Sequence, residues 1–374
     1  MAFQALIILV PLTWTASTSE LFEFPKMLLT YTFTIIIAAL WLSRIVLEKR
    51  LIFRRTPLEL PILLFLGSQL LSTLFSIDVH TSIFGYYSRF NGGLLSLISY
   101  ILLYFAAVSN FDRQDAVHLL KTLIFAAFVS SLYALPEHFG HSPSCQIISG
   151  TFDAKCWVQD VQSRIFGTFG QPNWLAAYLV VILPLTIFTT VYSKKVLHRY
   201  LASLLTLMFL FTIIFTKSQS GIGAVAVALG ISFLLIALQK KKKLLIVGFF
   251  LLTSLVVFIK QATVLRTLDS LNAINPFYST TAAIVAHDNL TRVGGTDSMV
   301  IRRVVWTGAW ALAKKYPLFG TGVETFAYAY YHVRPVEHNL VSEWDFLYNK
   351  AHNEFLNYAA TTGFLGLGTY LLFL

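Results

Sequence analysis

Few side chains in this 374-residue sequence are of the kind that does chemistry, and those few gather in short, turn-rich segments. Arg302 and Trp306, in Ile301-Arg302-Arg303-Val304-Val305-Trp306, stand four apart and share a helix face, where an indole can hold a guanidinium by cation–π contact. Contact of the pair with lipid headgroups is the plainer reading. His352 lies in Ala351-His352-Asn353-Glu354-Phe355-Leu356-Asn357-Tyr358, at the mouth of an apolar segment. An imidazole there can exchange a proton near neutrality, although a lone interfacial His commonly serves structure. Arg89, set among aromatics in Tyr86-Tyr87-Ser88-Arg89-Phe90-Asn91-Gly92, either snorkels to lipid phosphates or grips a lipid-linked diphosphate through its bidentate fork. In Gly167-Thr-Phe-Gly-Gln-Pro-Asn173, the residues Gly170, Pro172 and Asn173 read as a turn with Asn173 capping the next helix. Pro317-Leu318-Phe319-Gly320-Thr321-Gly322 redirects the chain after the Arg302 segment. The sequence holds no metal-ligand signature and no phosphate-binding Gly-rich loop with Lys, so neither a metal nor another cofactor is expected.

The elements that must carry these residues are membrane helices. The chain is 56% hydrophobic and only 12% charged, against roughly 25% charged in soluble domains. Stretches such as Met27 to Leu47, Trp174 to Tyr192 and Glu354 to Leu374 are long enough to cross a hydrocarbon core. The expected fold is all-α and polytopic, with about ten spans starting near Ala2, Met27, Leu58, Gly92, Ala116, Asn173, Tyr200, Gly221, Leu244 and Glu354. The apolar run Ala5 to Ala16 lacks a basic flank and reads as a first span, not a cleaved signal.

The net charge of +10 follows a membrane pattern that argues against nucleic acid as partner. Arg44, Lys49, Arg50, Arg54, Arg55, Arg113, Lys121, Lys194, Lys195, Arg199 and Lys240 to Lys243 fall in connections on one side. Only Lys26, Arg89, Lys155, Arg164 and Lys217 fall in the short connections on the other. The basic side is cytoplasmic by the positive-inside rule. Externally this leaves the turn Asp78 to Asn91, the loop Glu137 to Pro172, the tight turn Thr216 to Ser220 and a long loop over 260–353. Cys145 and Cys156 share one external loop, where a disulfide is permitted and two free thiols are the alternative. Within the long loop a helix is expected from Asp297 or Ser298 to Pro317, with Trp306, Trp310 and its basic residues suited to lying on the outer membrane surface. The sequence ends inside the apolar run Gly366 to Leu374, which reads as the truncated end of a single membrane domain covering 1–374.

Taken in order, the Arg89 to Gly92 turn, the G-T-F-G-x-P-N run, R-x-x-x-W, P-L-F-G-T-G and A-H-N-E-F-L-N-Y resemble the O-antigen ligase and polymerase family of bacterial envelopes. The resemblance implies a metal-independent glycosyltransferase of lipopolysaccharide or other envelope polysaccharide synthesis. It would be a multi-pass protein of the cytoplasmic (inner) membrane, working on the external, periplasmic face. The implied donor is a glycan on undecaprenyl diphosphate; the implied acceptor is a hydroxyl on lipid A core, a growing glycan or a protein, all met among membrane lipids. Carried over by motif, Arg302 binds the donor diphosphate and His352 lies near the acceptor, with Arg89 and Arg303 as further cations. Gly170, Pro172, Asn173, Trp306, Gly320, Gly322, Asn353 and Glu354 support the motifs. Where the family commonly places an Arg in the turn Thr216 to Gly221, this chain has Gln219, and Lys217 or Arg89 would supply the second contact. The resemblance leaves ligase, polymerase and protein O-oligosaccharyltransferase open. A transporter or flippase of lipid-linked sugars is the rival class, yet the ionisable residues sit in connections, not in spans, and two similar halves are not visible. A non-catalytic assembly protein is a third.

The charge pattern predicts that, in intact cells, an impermeant thiol reagent labels Arg302→Cys and Asn353→Cys but not Arg50→Cys or Lys242→Cys. Labelling of Lys242→Cys alone would invert the topology.

Overall fold

The computed structural model describes residues 1–240 and 298–374, and every regular element among them is helical. In chain order these are α1 (Ala2–Leu12), α2 (Glu23–Glu48), α3 (Glu59–Leu74), α4 (Val79–Phe84), α5 (Leu94–Asn110), α6 (Arg113–His138) and α7 (Pro143–Ile148). They continue with α8 (Pro172–Tyr192), α9 (Val196–Phe215), α10 (Gln219–Lys240), α11 (Ser298–Lys315), α12 (Phe326–Tyr330), α13 (Glu354–Thr361) and α14 (Gly363–Phe373). The helices α2, α6, α8, α9 and α10 are long and apolar enough to cross a membrane. By contrast, α1 has 11 residues, α3 16, α5 17 and α14 11, each short of the ~20 that a perpendicular span needs. Thus five of the expected spans have full length, four are shorter apolar helices, and the one expected near Leu244 lies outside the described residues.

The chain divides into two compact units. One is built from Phe3–Ser17 and the described chain from Arg113 to Lys240. Its core is the face of α8 carrying Leu175, Leu179, Ile182 and Leu183, packed against Phe209 and Ile213 of α9 and Ala127 and Ala134 of α6. Small buried residues on α6, including Ser130 and Ser131, let backbones approach where lipid-soluble helices have no hydrophobic drive to associate. Cys145 and Cys156 form a disulfide, deciding the alternative that the sequence left open.

The other unit is built from Thr18–Asp112 and the described chain over 298–374. Here α2 packs on α5, α3 on α5 and α14, and α11 on α13. The apolar stripe Ile301, Val305, Ala309 and Leu312 of α11 is buried against Phe326, Tyr330, Val341, Tyr348 and Ala351. The loop after the helix thus covers this stripe, while Trp310 on another side of the helix stays exposed.

A correction concerns the last span. Glu354 to Leu374 is not one helix: α13 stops at Thr361, and α14 restarts at Gly363, whose φ is +70°. Interrupting a helix frees backbone groups, which must find protein partners where water is absent. The Pro317-to-Gly322 run supplies them. Thr321 and Gly322 donate their amides to the carbonyls of Ala360 and Thr361 at 3.2 and 2.8 Å, and Phe364 donates to Pro317 O at 2.7 Å. Thr321 O also accepts from Ile77 N at 2.9 Å, tying the run to the turn after α3. The approach is close enough to require glycine: a Cβ on Gly320 would lie 2.2 Å from the Thr361 carbonyl carbon, and one on Gly363 2.3 Å from Leu318 O.

Accordingly, Gly320→Ala and Gly363→Ala should each lose at least about 1–3 kcal/mol, the cost of a strained left-handed residue, because the clash adds to the strain. Gly67→Ala, where a Cβ meets nothing within 4 Å, should be neutral or slightly stabilising. Thermal unfolding in detergent measures all three.

Candidate active site

The residues assigned by motif divide between the two units. Arg89, Arg302, Arg303, Trp306, Gly320, Gly322, His352, Asn353 and Glu354 lie in the second, and Gly170, Pro172, Asn173 and Lys217 in the first.

In the second unit α11 presents Arg302 half-buried and Arg303 exposed. The expected cation–π contact is not formed. Trp306 instead donates its indole N–H to Ala351 O at 3.0 Å, fastening α11 to the residue before His352. Asn357, one turn into α13, accepts Ala351 N–H at 3.2 Å, and Asn353 caps that helix by accepting Leu356 N–H at 3.2 Å. Between these anchors His352 adopts a left-handed φ of +51°. A non-glycine residue holds such a conformation only where its surroundings fix it, and here hydrogen bonds do so on both sides.

The His352 ring stands edge-on to Tyr348 at 5.6 Å, one side open to solvent and the other against protein. Burial on the protein side, followed by the charge of Arg302, holds its pKa below the ordinary histidine value; Lys350 acts in the same direction and Glu343 opposes. Tyr348 donates its hydroxyl to the Glu343 carboxylate. The site therefore keeps a neutral, proton-accepting imidazole within the field of a guanidinium that no described carboxylate pairs with.

Beside it lies a charged group of which only Arg89 was marked by the sequence. Lys350 donates to Glu324 Oε1 at 2.8 Å, and Arg89 lies 3.0 Å from Glu23 Oε2. Burial pulls the Lys350 ammonium down, but Glu324 beside it, helped by Glu354 and Glu23, holds its pKa above the usual range. Glu324 touches the Arg89 turn directly, since a Cβ on Gly92 would lie 2.4 Å from its carboxyl carbon. Arg89 is thus ion-paired and not snorkelling freely. Lys350, two residues before His352, is the member of this group that adjacency to the A-H-N run could have flagged. Glu324 carries no such signal.

In the first unit Asn173 does not cap α8. The helix begins at Pro172 with Gln171 as its N-cap, and Asn173 Oδ1 accepts from Arg164 at 3.4 Å. Arg164 also donates to Thr216 O at 3.2 Å, and Lys217, at φ +46°, donates to Ser163 Oγ at 3.1 Å. Two cations therefore meet at this turn. Burial holds the Arg164 guanidinium below its ordinary pKa. Gly170 takes the left-handed φ of +71° that its turn requires. The fully buried Glu137 accepts the amides of Phe166 and Gly167 at 3.0 and 2.9 Å, fixing the entry to the G-T-F-G run. Neither Glu137 nor Arg164 stood out in the sequence, because a buried carboxylate and a turn cation acquire their roles from residues ~30–50 positions away. Among the described residues no group of His, Cys, Asp or Glu is arranged to hold a metal.

Helices long and apolar enough to cross a membrane point to an integral membrane protein. Residues 202–371 match the family model described as O-antigen ligase, which supports the O-antigen ligase/polymerase family for this chain. Arg302, Trp306, the 317–322 run and His352 all fall inside the match, whereas Arg89 and the 167–173 run precede it. The match suggests O-antigen ligase-type glycosyltransferase activity, with lipid-linked glycan and acceptor as partners in general. A search of curated proteins returned no significant match.

The indole tie makes a specific prediction. Trp306→Phe keeps the ring but removes a hydrogen bond worth about 0.5–1.5 kcal/mol. Amide hydrogen exchange over residues 348–353 should accelerate in this variant while exchange in α3 and α5 is unchanged. An unaltered 348–353 segment would show that Trp306 does not hold the histidine loop.

Proposed function

We propose that the chain transfers a glycan from a polyprenyl diphosphate, undecaprenyl diphosphate in bacteria, to an acceptor hydroxyl on the external face of the cytoplasmic membrane, without a metal. The observation that carries this reading is the joining of Arg302 and His352 through Trp306 and Ala351. A cation suited to a diphosphate and a base suited to a hydroxyl are held by one hydrogen-bonded frame.

The chemistry follows from the charges. An acceptor hydroxyl is a poor nucleophile, and His352, neutral near pH 7, takes its proton as the oxygen attacks the anomeric carbon. The bond from that carbon to the diphosphate oxygen breaks, and Arg302 stabilises the charge that gathers on the departing diphosphate. Arg303, the next residue of the same helix, is exposed and offers a further cation. The mechanism uses residues of one unit alone. Arg89 and Lys217 are the remaining candidate donor contacts. A lipid A core, a growing glycan or a protein side chain could each present the hydroxyl.

Purified full-length protein given polyprenyl-diphosphate glycan and candidate acceptors, with divalent metal chelated, tests the reading. Arg302→Ala should lose roughly 10²–10³-fold in rate, and Arg302→Lys much of that, since Lys keeps the charge and loses the fork. His352→Gln should keep expression and donor binding yet lose roughly 10²–10⁴-fold. Near-normal transfer by His352→Gln would remove the base assignment.

The pH profile adds a sign. Because His352 must be neutral to act and its pKa is lowered, kcat/KM should be flat above the ordinary histidine value and fall only on the acid side of it. Glu343 raises the His352 pKa, so Glu343→Gln should move that acid limb to still lower pH. An unmoved limb in Glu343→Gln would show that another group titrates.

A further inference from the structure

A cavity of about 220 Å³ lies within the second unit, walled by α3, α5, α13 and the segments that carry Glu324 and Lys350. It is too large for one or two ordered waters and smaller than the roughly 300–1,000 Å³ of drug-sized ligand sites.

Its lining mixes amides and carboxylates with the aromatic rings of Phe65, Tyr100 and Tyr358. Asn357, 7% exposed, uses its Oδ1 on Ala351 N–H and leaves its NH₂ without an acceptor among the described residues. Asn91 likewise uses only its Oδ1, on the Tyr100 hydroxyl at 3.2 Å. Glu324 engages Lys350 through Oε1 only, and Glu354 pairs with no described cation. The Lys350 ammonium has three donors and uses one on Glu324. Among these groups the ring of Tyr358 is held by stacking on Tyr370 at 4.3 Å and by an edge contact with Phe65 at 5.7 Å.

We propose that this cavity is a sugar subsite that holds one uncharged pyranose ring of a glycan substrate. The proposal rests on the glycosyl-transfer reading above and names the part of the substrate that the cavity takes. Amide donors and carboxylate acceptors that still have hydrogen bonds to give match the alternating donor and acceptor character of ring hydroxyls, and a fixed aromatic face suits the ring's C–H surface. A lipid tail would leave the buried Asn357 amide and its polar neighbours without hydrogen-bond partners. Charge sets the preference: Glu324 and Glu354 outnumber Lys350, so a uronate carboxylate would meet net repulsion. The ring can belong to the donor glycan or to a glycan acceptor, which share this chemistry.

Ligand-observed saturation-transfer NMR on the full-length protein in lipid nanodiscs tests the site, with methyl glucopyranoside, methyl N-acetylglucosaminide and methyl glucuronide as probes. The neutral glycosides should receive saturation and the glucuronide at least several-fold less. Leu97→Trp fills the cavity from α5 and should abolish the signal. Glu354→Gln should raise the glucuronide response, a gain that misfolding could not produce. In transfer assays, a raised KM for acceptor alone in Leu97→Trp assigns the ring to the acceptor, and weakened donor binding with bare polyprenyl diphosphate still bound assigns it to the donor. Absence of saturation in the wild type, or a signal that survives Leu97→Trp, overturns the subsite. Bare polyprenyl diphosphate binding, measured alongside, separates the two readings. Its loss with glycoside binding intact counts against the transferase reading only, and its retention without glycoside binding counts against the subsite only.

Discussion

The second unit depends on a break in the last helix and on the chain that mends it. Thr361 and Gly363 interrupt what composition would make a single apolar helix, and the carbonyls of Ala360 and Thr361 are taken up by the amides of Thr321 and Gly322. Left open, such groups would each cost free energy comparable to a lost hydrogen bond. With the break closed, α13 is held as a separate short helix whose N-terminus follows directly on the histidine loop. The same run reaches Ile77 through Thr321 O, so the turn after α3 is joined to the last two helices by a single extended strip.

Two kinds of restraint converge on His352. One is apolar: the stripe on α11 and the loop over 326–351 form a core that fixes the helix bearing Arg302. The other is polar: the Trp306 indole and the Asn357 amide bind the two sides of the Ala351 peptide. A left-handed histidine backbone held this way is pre-set before any substrate arrives. Electrostatic catalysis relies on that rigidity, since a donor or base that must reorganise during the reaction loses much of its advantage.

The charged group formed by Glu23, Arg89, Glu324 and Lys350 shows how cations in such a protein divide their duties. Arg89 and Lys350 face carboxylates within hydrogen-bonding distance, while Arg302 has no such partner among the described residues. A cation already neutralised by a neighbour attracts an incoming phosphate weakly; one beside a neutral imidazole does so strongly. The division therefore follows from pairing, not from residue type, and three positive side chains that look alike in sequence acquire different surroundings.

What the sequence by itself determined is the solvent and the motifs. Apolar length and charge asymmetry fix a helical membrane protein, because lipid admits only backbones that bond to themselves. The spacing of R-x-x-x-W and A-H-N likewise marks the pieces of the site. Helix α11 was legible to within a residue or two, since its stripe repeats at helical period and Pro317 stops it. Tertiary structure decided the rest. Trp306 bonds a carbonyl forty-five residues away instead of Arg302; the apolar stripe of α11 is covered by its own loop; Asn173 yields the capping position to Gln171; and the last span breaks where a distant glycine run can satisfy it. Composition and period are local quantities, readable along the chain. The pairing of Glu324 with Lys350 and the mending of a broken helix are agreements between segments that are far apart in sequence, and only folding brings those partners within the few ångströms over which hydrogen bonds and ion pairs act.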